Sequence, residues 1–203
     1  MDVDHAAATE QQLMTQVMTG VDVSRRIVWI SGDIDITMAH RVNVILSVLD
    51  ATEGPIKIVL NSEGGEEQHG YSIYDTIAGC KNFVVIEGFG NVMSIAAAIF
   101  QAGDERFLSP HTSFMIHNGF GPEGVVKNSE IIDLAEQLKR DNSKYYEILA
   151  ESSGQSIETI EGWCRTDTYF TAEEAVRHGF ADGILTPSKV RPKKRKRRRK
   201  TNG

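Results

Sequence analysis

A parallel α/β layer is the fold class this sequence predicts, on three observations. Short β-branched and aromatic runs, RIVWISG (26–32), IKIVLN (56–61) and FVVIE (83–87), are bounded by turn residues, as buried strands are. Each is followed by apolar residues at helical spacing, so three strand–helix units run in series, the order that gives a right-handed parallel sheet. Size and composition agree. A chain of 203 residues, 40% apolar and 25% charged, suits one globular domain with a substantial core and an appended helical segment.

The elements follow in order. Residues 1–25 are polar, with Leu13, Met14, Val17 and Met18 spaced as one face of a short helix. After the first strand, Thr37 is the expected N-cap of a helix whose Met38, Val42, Ile45, Leu46 and Leu49 recur at helical spacing. Gly54-Pro55 ends it. The second strand runs into NSEGG (61–65) and a helix carrying Tyr71, Ile73, Tyr74 and Ile77. The third runs into a glycine turn and then a small-residue helix beginning at Ser94. RFLS (106–109) and SFMIH (113–117) read as short strands around a turn at Pro110. NGFGPEGVVKN (118–128) reads as an extended loop or ribbon. A long helix from about Ser129 to Ser152 places Ile131, Ala135, Leu138, Tyr145 and Leu149 on one stripe. Another starts near Ser156, and the capping-box pattern Thr171-Ala172-Glu173-Glu174 opens a last one that ends at Gly179. No internal repeat is present.

Composition excludes some classes of function. No apolar run approaches the ~20 residues of a membrane span, and no signal-like N-terminus is seen, so a cytoplasmic protein is expected. Cys80 and Cys164 lack metal-ligand spacing and fit structural roles in a reducing compartment. No cofactor or metal is expected. The net charge of −6 hides an asymmetry. Ten Lys or Arg residues fall between Lys189 and Lys200, leaving 12 basic against 28 acidic residues before them, a body charge of −16. The tail, 188–203, has too little apolar content to fold alone and is expected to be a disordered polycation. It binds nucleic acid or another acidic surface through charge, or else serves as a solubilising or self-associating segment.

In open parallel sheets ligands bind beyond the carboxyl ends of the strands, where both NSEGG and Ser94 fall. A hydroxyl at a helix N-terminus faces free N–H groups and the positive end of the dipole, a favourable place for a nucleophile. It is equally the position of an ordinary serine cap. A serine nucleophile needs a base, and the base an orienting group. Of the six histidines, His5 and His178 read as surface residues and His40 as solvent-facing. His69 follows the NSEGG turn and His111 sits in a loop. His117 stands at a strand end before a glycine-rich stretch, where a scaffold edge presents catalytic groups. Asp167, just before Tyr169-Phe170, is the candidate orienting carboxylate.

Five pieces, taken in order, resemble the ClpP family of self-compartmentalised serine peptidases. They are RIVWISGDID, LNSEGGEEQHGYSIYDTI (60–77), GNVMSIA (90–96), FMIHN (114–118) and RTDTYFTAEEAVRHGFADGIL (165–185). The resemblance runs from about Arg26 to Leu185 and implies a peptidase domain at 26–187, a ClpP/crotonase-like spiral of β-β-α units with a protruding helix-ribbon handle at about 118–152. It implies Ser94 as nucleophile, His117 as general base then acid, and Asp167 as orienting group. It also implies backbone N–H groups of Gly65 and Ile95 as the oxyanion hole, and a substrate groove including Glu66, Glu67, Gly119 and Gly121. Stacked heptameric rings are implied as well. No G-x-x-x-x-G-K-(S/T) sequence occurs, so ATP dependence requires a separate AAA+ unfoldase ATPase.

Departures from the family pattern are informative. Its proline in NSPGG is Glu63 here, and Glu66 and Glu67 follow the glycines. Carboxylates there oppose an oxyanion unless they point into water, and Glu66 and Glu67 are expected to bias cleavage toward basic peptides. Val92 and Ile95 replace alanine and methionine. Thr166 stands where an arginine often joins an ion-pair network between rings. Other readings are a phage-type prohead maturation protease working without an ATPase, a crotonase-like acyl-CoA enzyme, a Ser–Lys peptidase, and a catalytically weak ring-forming scaffold with a nucleic-acid-binding tail.

Overall fold

Eight strands form one sheet in the computed structural model, which describes residues 19–119 and 131–186 together with Met14. In chain order they are β1 (Val21–Asp22), β2 (Ile27–Ser31), β3 (Ile56–Ser62), β4 (Val84–Met93), β5 (Glu105–Leu108), β6 (Ser113–Ile116), β7 (Thr168–Phe170) and β8 (Gly183–Ile184). Six helices lie wholly within the described residues: α1 (Ile36–Asp50), α2 (Glu67–Ala78), α3 (Ile95–Gln101), α4 (Ile131–Ser153), α5 (Ile157–Cys164) and α6 (Ala172–Arg177). The sheet order is β1-β2-β3-β4-β5-β8, with β6 added to β4 and β7 to β6. The three serial strand–helix units pair in parallel, as expected, while β1 and β7 join antiparallel.

Alternation sets which face of the sheet is dry. In β3, Ile56, Ile58 and Leu60 are wholly buried, and Val28, Ile30 and Ile86 join them from the flanking strands. The α1 stripe of Ala39, Val42, Leu46 and Leu49 packs onto this core. Its N-cap is Asp35 and not Thr37: the Asp35 carboxylate accepts the Met38 N–H at 2.7 Å. Either side chain suits a cap, and the chain's exit from β2 selects the earlier one. Helix α3 is buried on every side, which its alanines permit by allowing neighbours to approach closely. Gly70 of α2 packs directly against the Ile95 side chain.

Two expectations need correction here. The third strand does not stop at a glycine turn; β4 continues through Gly88 and Gly90 to Met93 and changes partner on the way. Val85 to Gly88 pair with β5, whereas Asn91 to Met93 pair with β6. Gly90 allows this bend: its φ is +63°, and a Cβ there would lie 2.7 Å from Asn61 Oδ1. The Asn61 carboxamide instead accepts the Asn91 N–H at 3.0 Å. The long helix is also less uniform than its stripe. Tyr145 and Leu149 are buried, but Ile131 is 51% exposed, so only the C-terminal half of α4 joins the core. The expected N-terminal helix face (Met14 apart), the ribbon beyond Gly119 and the polybasic tail lie outside the described residues.

Candidate active site

The β4 bend aims its last residue at a new neighbour. Ser94 follows Met93 with φ +54° and ψ −131°, one of two non-glycine residues with positive φ among those described. Three hydrogen bonds hold this backbone in place. The Ser94 N–H donates to Met115 O at 2.9 Å, and its carbonyl accepts from Ala97 N–H at 2.8 Å and from the Tyr145 hydroxyl at 2.9 Å. Ser94 occupies the N-cap position of α3, yet its side chain makes no capping bond. Its Oγ lies 2.8 Å from His117 Nε2.

His117 comes immediately after β6 and is 9% exposed. Asp167 is brought to it by strand register: β6 and β7 pair Phe114 with Phe170, Met115 with Tyr169 and Ile116 with Thr168. One step further sets Asp167 beside His117, with Oδ1 3.4 Å from Nδ1. The turn before β7 is fixed by the Thr168 hydroxyl donating to Trp163 O at 2.7 Å. An aromatic cluster of Phe114, Trp163, Phe170 and Phe180 holds β7 on β6. His178, expected at the surface, belongs to it, with its ring 4.9 Å from that of Trp163.

The Gly64-Gly65 turn after β3 forms the opposite wall. Gly64 has φ +108°, and a Cβ on it would lie 2.7 Å from Ser94 Cβ and 3.1 Å from Ser94 Oγ. Only a glycine permits that approach. Gly65, at φ +150°, bridges in parallel to Ile34, and Ile34 N–H and Glu66 N–H bond across this bridge at 2.9 and 2.8 Å. Neither the Gly65 N–H nor the Ile95 N–H, the first of α3, has an acceptor among the described residues. The Ile95 side chain is buried in the core.

Gly65, Glu66, Glu67, Gln68, Ser94, His117 and Gly119 line one cleft of about 350 Å³. Gly119 is positioned by its N–H donating to Asn142 Oδ1 at 3.1 Å, and Asn118 by its N–H donating to Cys164 O at 2.9 Å. Gly121 lies outside the described residues. The three acidic departures differ. Glu63 is exposed and accepts from Asn91 Nδ2 at 3.1 Å; Glu66 is 70% exposed and 3.3 Å from His69 Nε2. Glu67 is partly buried, and burial, then the charge of Asp141, raises its carboxyl above the usual range. Burial also pushes the Cys164 thiol up to about 12, in keeping with an inert core cysteine. No cluster of His, Cys, Asp and Glu able to hold a metal ion occurs among the described residues. No helix among them is long and apolar enough to cross a membrane.

Sequence reading missed Gly64 and Tyr145. Tyr145 lay on an apolar stripe, and nothing in the stripe tells where its hydroxyl ends. The first glycine of the GG pair was the available signal for a second close approach.

Comparison with known proteins agrees with the order of these pieces. The Clp protease family model matches residues 10–188. The ATP-dependent Clp protease proteolytic subunit of Leuconostoc citreum (strain KM20) is 33% identical over 172 residues, 82% of this chain and 86% of that protein. The subunit of the same name from Ligilactobacillus salivarius (strain UCC118) is 35% identical over 169 residues, covering 81% and 85%. Proteolytic subunit 2 from Thermobifida fusca (strain YX) is 34% identical over 166 residues, covering 80% and 81%. With that extent of match across nearly the whole site-bearing region, the chain belongs to the Clp protease family.

Proposed function

We propose that this chain is a serine endopeptidase acting within an oligomeric chamber, with Ser94, His117 and Asp167 as its catalytic set. The observation that carries this reading is the serine hydroxyl turned away from its own helix and toward His117 Nε2 at 2.8 Å. Ser94 Oγ attacks the scissile carbonyl carbon as its proton passes to His117 Nε2. Asp167 accepts from Nδ1–H, fixing the tautomer and stabilising the imidazolium. The N–H groups of Gly65 and Ile95 receive the oxyanion, a contribution on the order of 3 kcal/mol for each such donor. His117 then protonates the leaving amine, and a water activated by the same imidazole hydrolyses the acyl-serine.

On this reading residues 26–187 form the peptidase domain, with a handle at about 118–152 on a spiral of β-β-α units. Residues 1–25 precede it and 188–203 form a basic tail that binds an acidic surface or nucleic acid. Stacked heptameric rings in the cytoplasm complete the assignment, together with a separate AAA+ ATPase, for which the relatives' name, ATP-dependent Clp protease proteolytic subunit, is the support. Glu66, Glu67, Gly119 and Gly121 belong to the substrate groove. A fluorophosphonate probe tests the assignment: Ser94 is labelled in the wild type, and no label enters Ser94→Ala. An assembled wild-type protein that takes no label is a scaffold instead.

A further inference from the structure

Among the described residues, Glu67 is the one acidic residue of the Gly64-Gly65 turn region without a polar partner. Glu63 accepts from Asn91, and Glu66 lies beside His69. The Glu67 carboxylate accepts no hydrogen bond and forms no ion pair among the described residues. It is nonetheless partly withdrawn from water, packed against Gly119 on the far lip of the cleft that holds Ser94 and His117. A carboxylate in that condition is destabilised, as its raised pKa records. Asp141, its side chain 14% exposed, adds a second negative charge from α4. Lys144 is engaged by Asp141 at 3.3 Å and only partly offsets the field at Glu67.

We propose that Glu67 is a specificity determinant that selects substrates with a Lys or Arg side chain beside the scissile bond, Asp141 reinforcing it and Lys144 competing with the incoming cation. This rests on the serine-peptidase reading above and names the substrate class of that same cleft. A long aliphatic stem ending in a cation suits the geometry, because the stem lies along the cleft while the charge reaches a carboxylate waiting for one. A substrate carboxylate at that place meets two like charges. Glu63 is predicted to matter little, being exposed and already paired.

The test uses two peptidyl diphenyl phosphonates that differ only at the residue replacing the scissile position: lysine in one, norleucine in the other. Norleucine keeps the stem and lacks the ammonium. Rates of covalent labelling of the full-length protein at Ser94 are followed by intact mass. The wild type is expected to react faster with the lysine compound by on the order of tenfold to a hundredfold, the worth of one charge-assisted hydrogen bond. Glu67→Gln brings the ratio close to one, Glu63→Gln leaves it, and Lys144→Met raises it. A wild-type ratio of one or less, or a ratio that survives Glu67→Gln, overturns the proposal. A side-chain-free fluorophosphonate is run in parallel on each variant. If it labels Ser94 while the ratio fails, only the specificity is wrong; if it labels nothing in the wild type, the peptidase reading falls and this proposal with it.

Discussion

Ser94 and Thr171 occupy the same position, the N-cap of a helix, and use it in opposite ways. Thr171 has φ −66° and ψ 165°, and its hydroxyl accepts the Glu174 N–H at 3.2 Å while the Glu174 carboxylate accepts the Thr171 N–H at 2.9 Å. Both side chains serve the helix. Ser94 has φ +54°, makes no side-chain capping bond, and presents its hydroxyl to His117. A positive φ at a non-glycine residue costs about 1–3 kcal/mol and persists only where its surroundings over-determine it. The surroundings of Ser94 do so: Met115 and Tyr145 bind its backbone, and Gly64 leaves room for its side chain. The difference teaches that residue type at a cap says little about role. The backbone conformation imposed by distant partners decides whether the hydroxyl stabilises the helix or is held free of it.

The largest effect expected to separate the two is Ser94→Ala. Peptide hydrolysis falls on the order of 10⁶-fold, while folding stability changes by no more than about 1 kcal/mol because no cap is lost. Peptide turnover and denaturant titration, run on the same preparation, check both halves. A large loss of stability would mean that Ser94 is a cap after all.

Gly64→Val comes next. Its Cβ meets Ser94 Cβ from 2.7 Å in a backbone region unfavourable to β-branched residues. Activity is expected to drop by about a hundredfold through misplacement of Ser94, and stability by about 1–3 kcal/mol. Fluorophosphonate labelling rate and thermal unfolding measure these. A variant that is destabilised but labels at the wild-type rate would show that the turn does not set the serine's position.

Tyr145→Phe removes the hydroxyl that holds the Ser94 carbonyl. It is expected to cost about 1 kcal/mol of stability and to lower kcat several-fold with KM little changed. Unchanged kcat would assign the holding of Ser94 to β4, Met115 and Gly64 alone.

Thr171→Ala gives the smallest and opposite pattern: about 1 kcal/mol of stability lost, and kcat as in the wild type. Its partner supplies a pH signature. Hydrogen bonds from Thr171 hold the Glu174 carboxyl below its ordinary value. A carboxyl lowered by folding stabilises above its unfolded pKa, and that contribution is lost as pH falls through the lower, folded value. Denaturation midpoints at stepped acid pH are therefore expected to converge between wild type and Glu174→Gln, which lacks the ionisable group, as the pH drops through the acid range. Curves that stay parallel would deny the coupling.

Much of the fold was legible because local periodicity reports which side of a segment is buried. The runs at 26–32, 56–61 and 83–87 needed no partner to read as strands, and Thr171 with Glu174 is a local signal whose two halves lie three residues apart. Ser94 and His117 were legible as strand-end residues, and the roles proposed for them come from the family resemblance. The Thr37 cap, the early end of the third strand and the surface position of His178 were misread. Each depended on a contact from elsewhere in the chain: the exit from β2, the exchange of β5 for β6 along β4, and Trp163.

What the sequence by itself determined is the order of elements and the chemical groups at their ends, since propensity, capping and amphipathic period act over one or two turns of chain. Tertiary structure alone decided that Asp167 meets His117, through the β6–β7 register. It likewise decided that Ser94 faces the histidine and that Glu67, not Glu66, is drawn out of water beside Gly119. These pairings join residues 23 to 52 positions apart. Their geometry is fixed only when the sheet closes and burial forces each polar group toward whichever partner remains within reach.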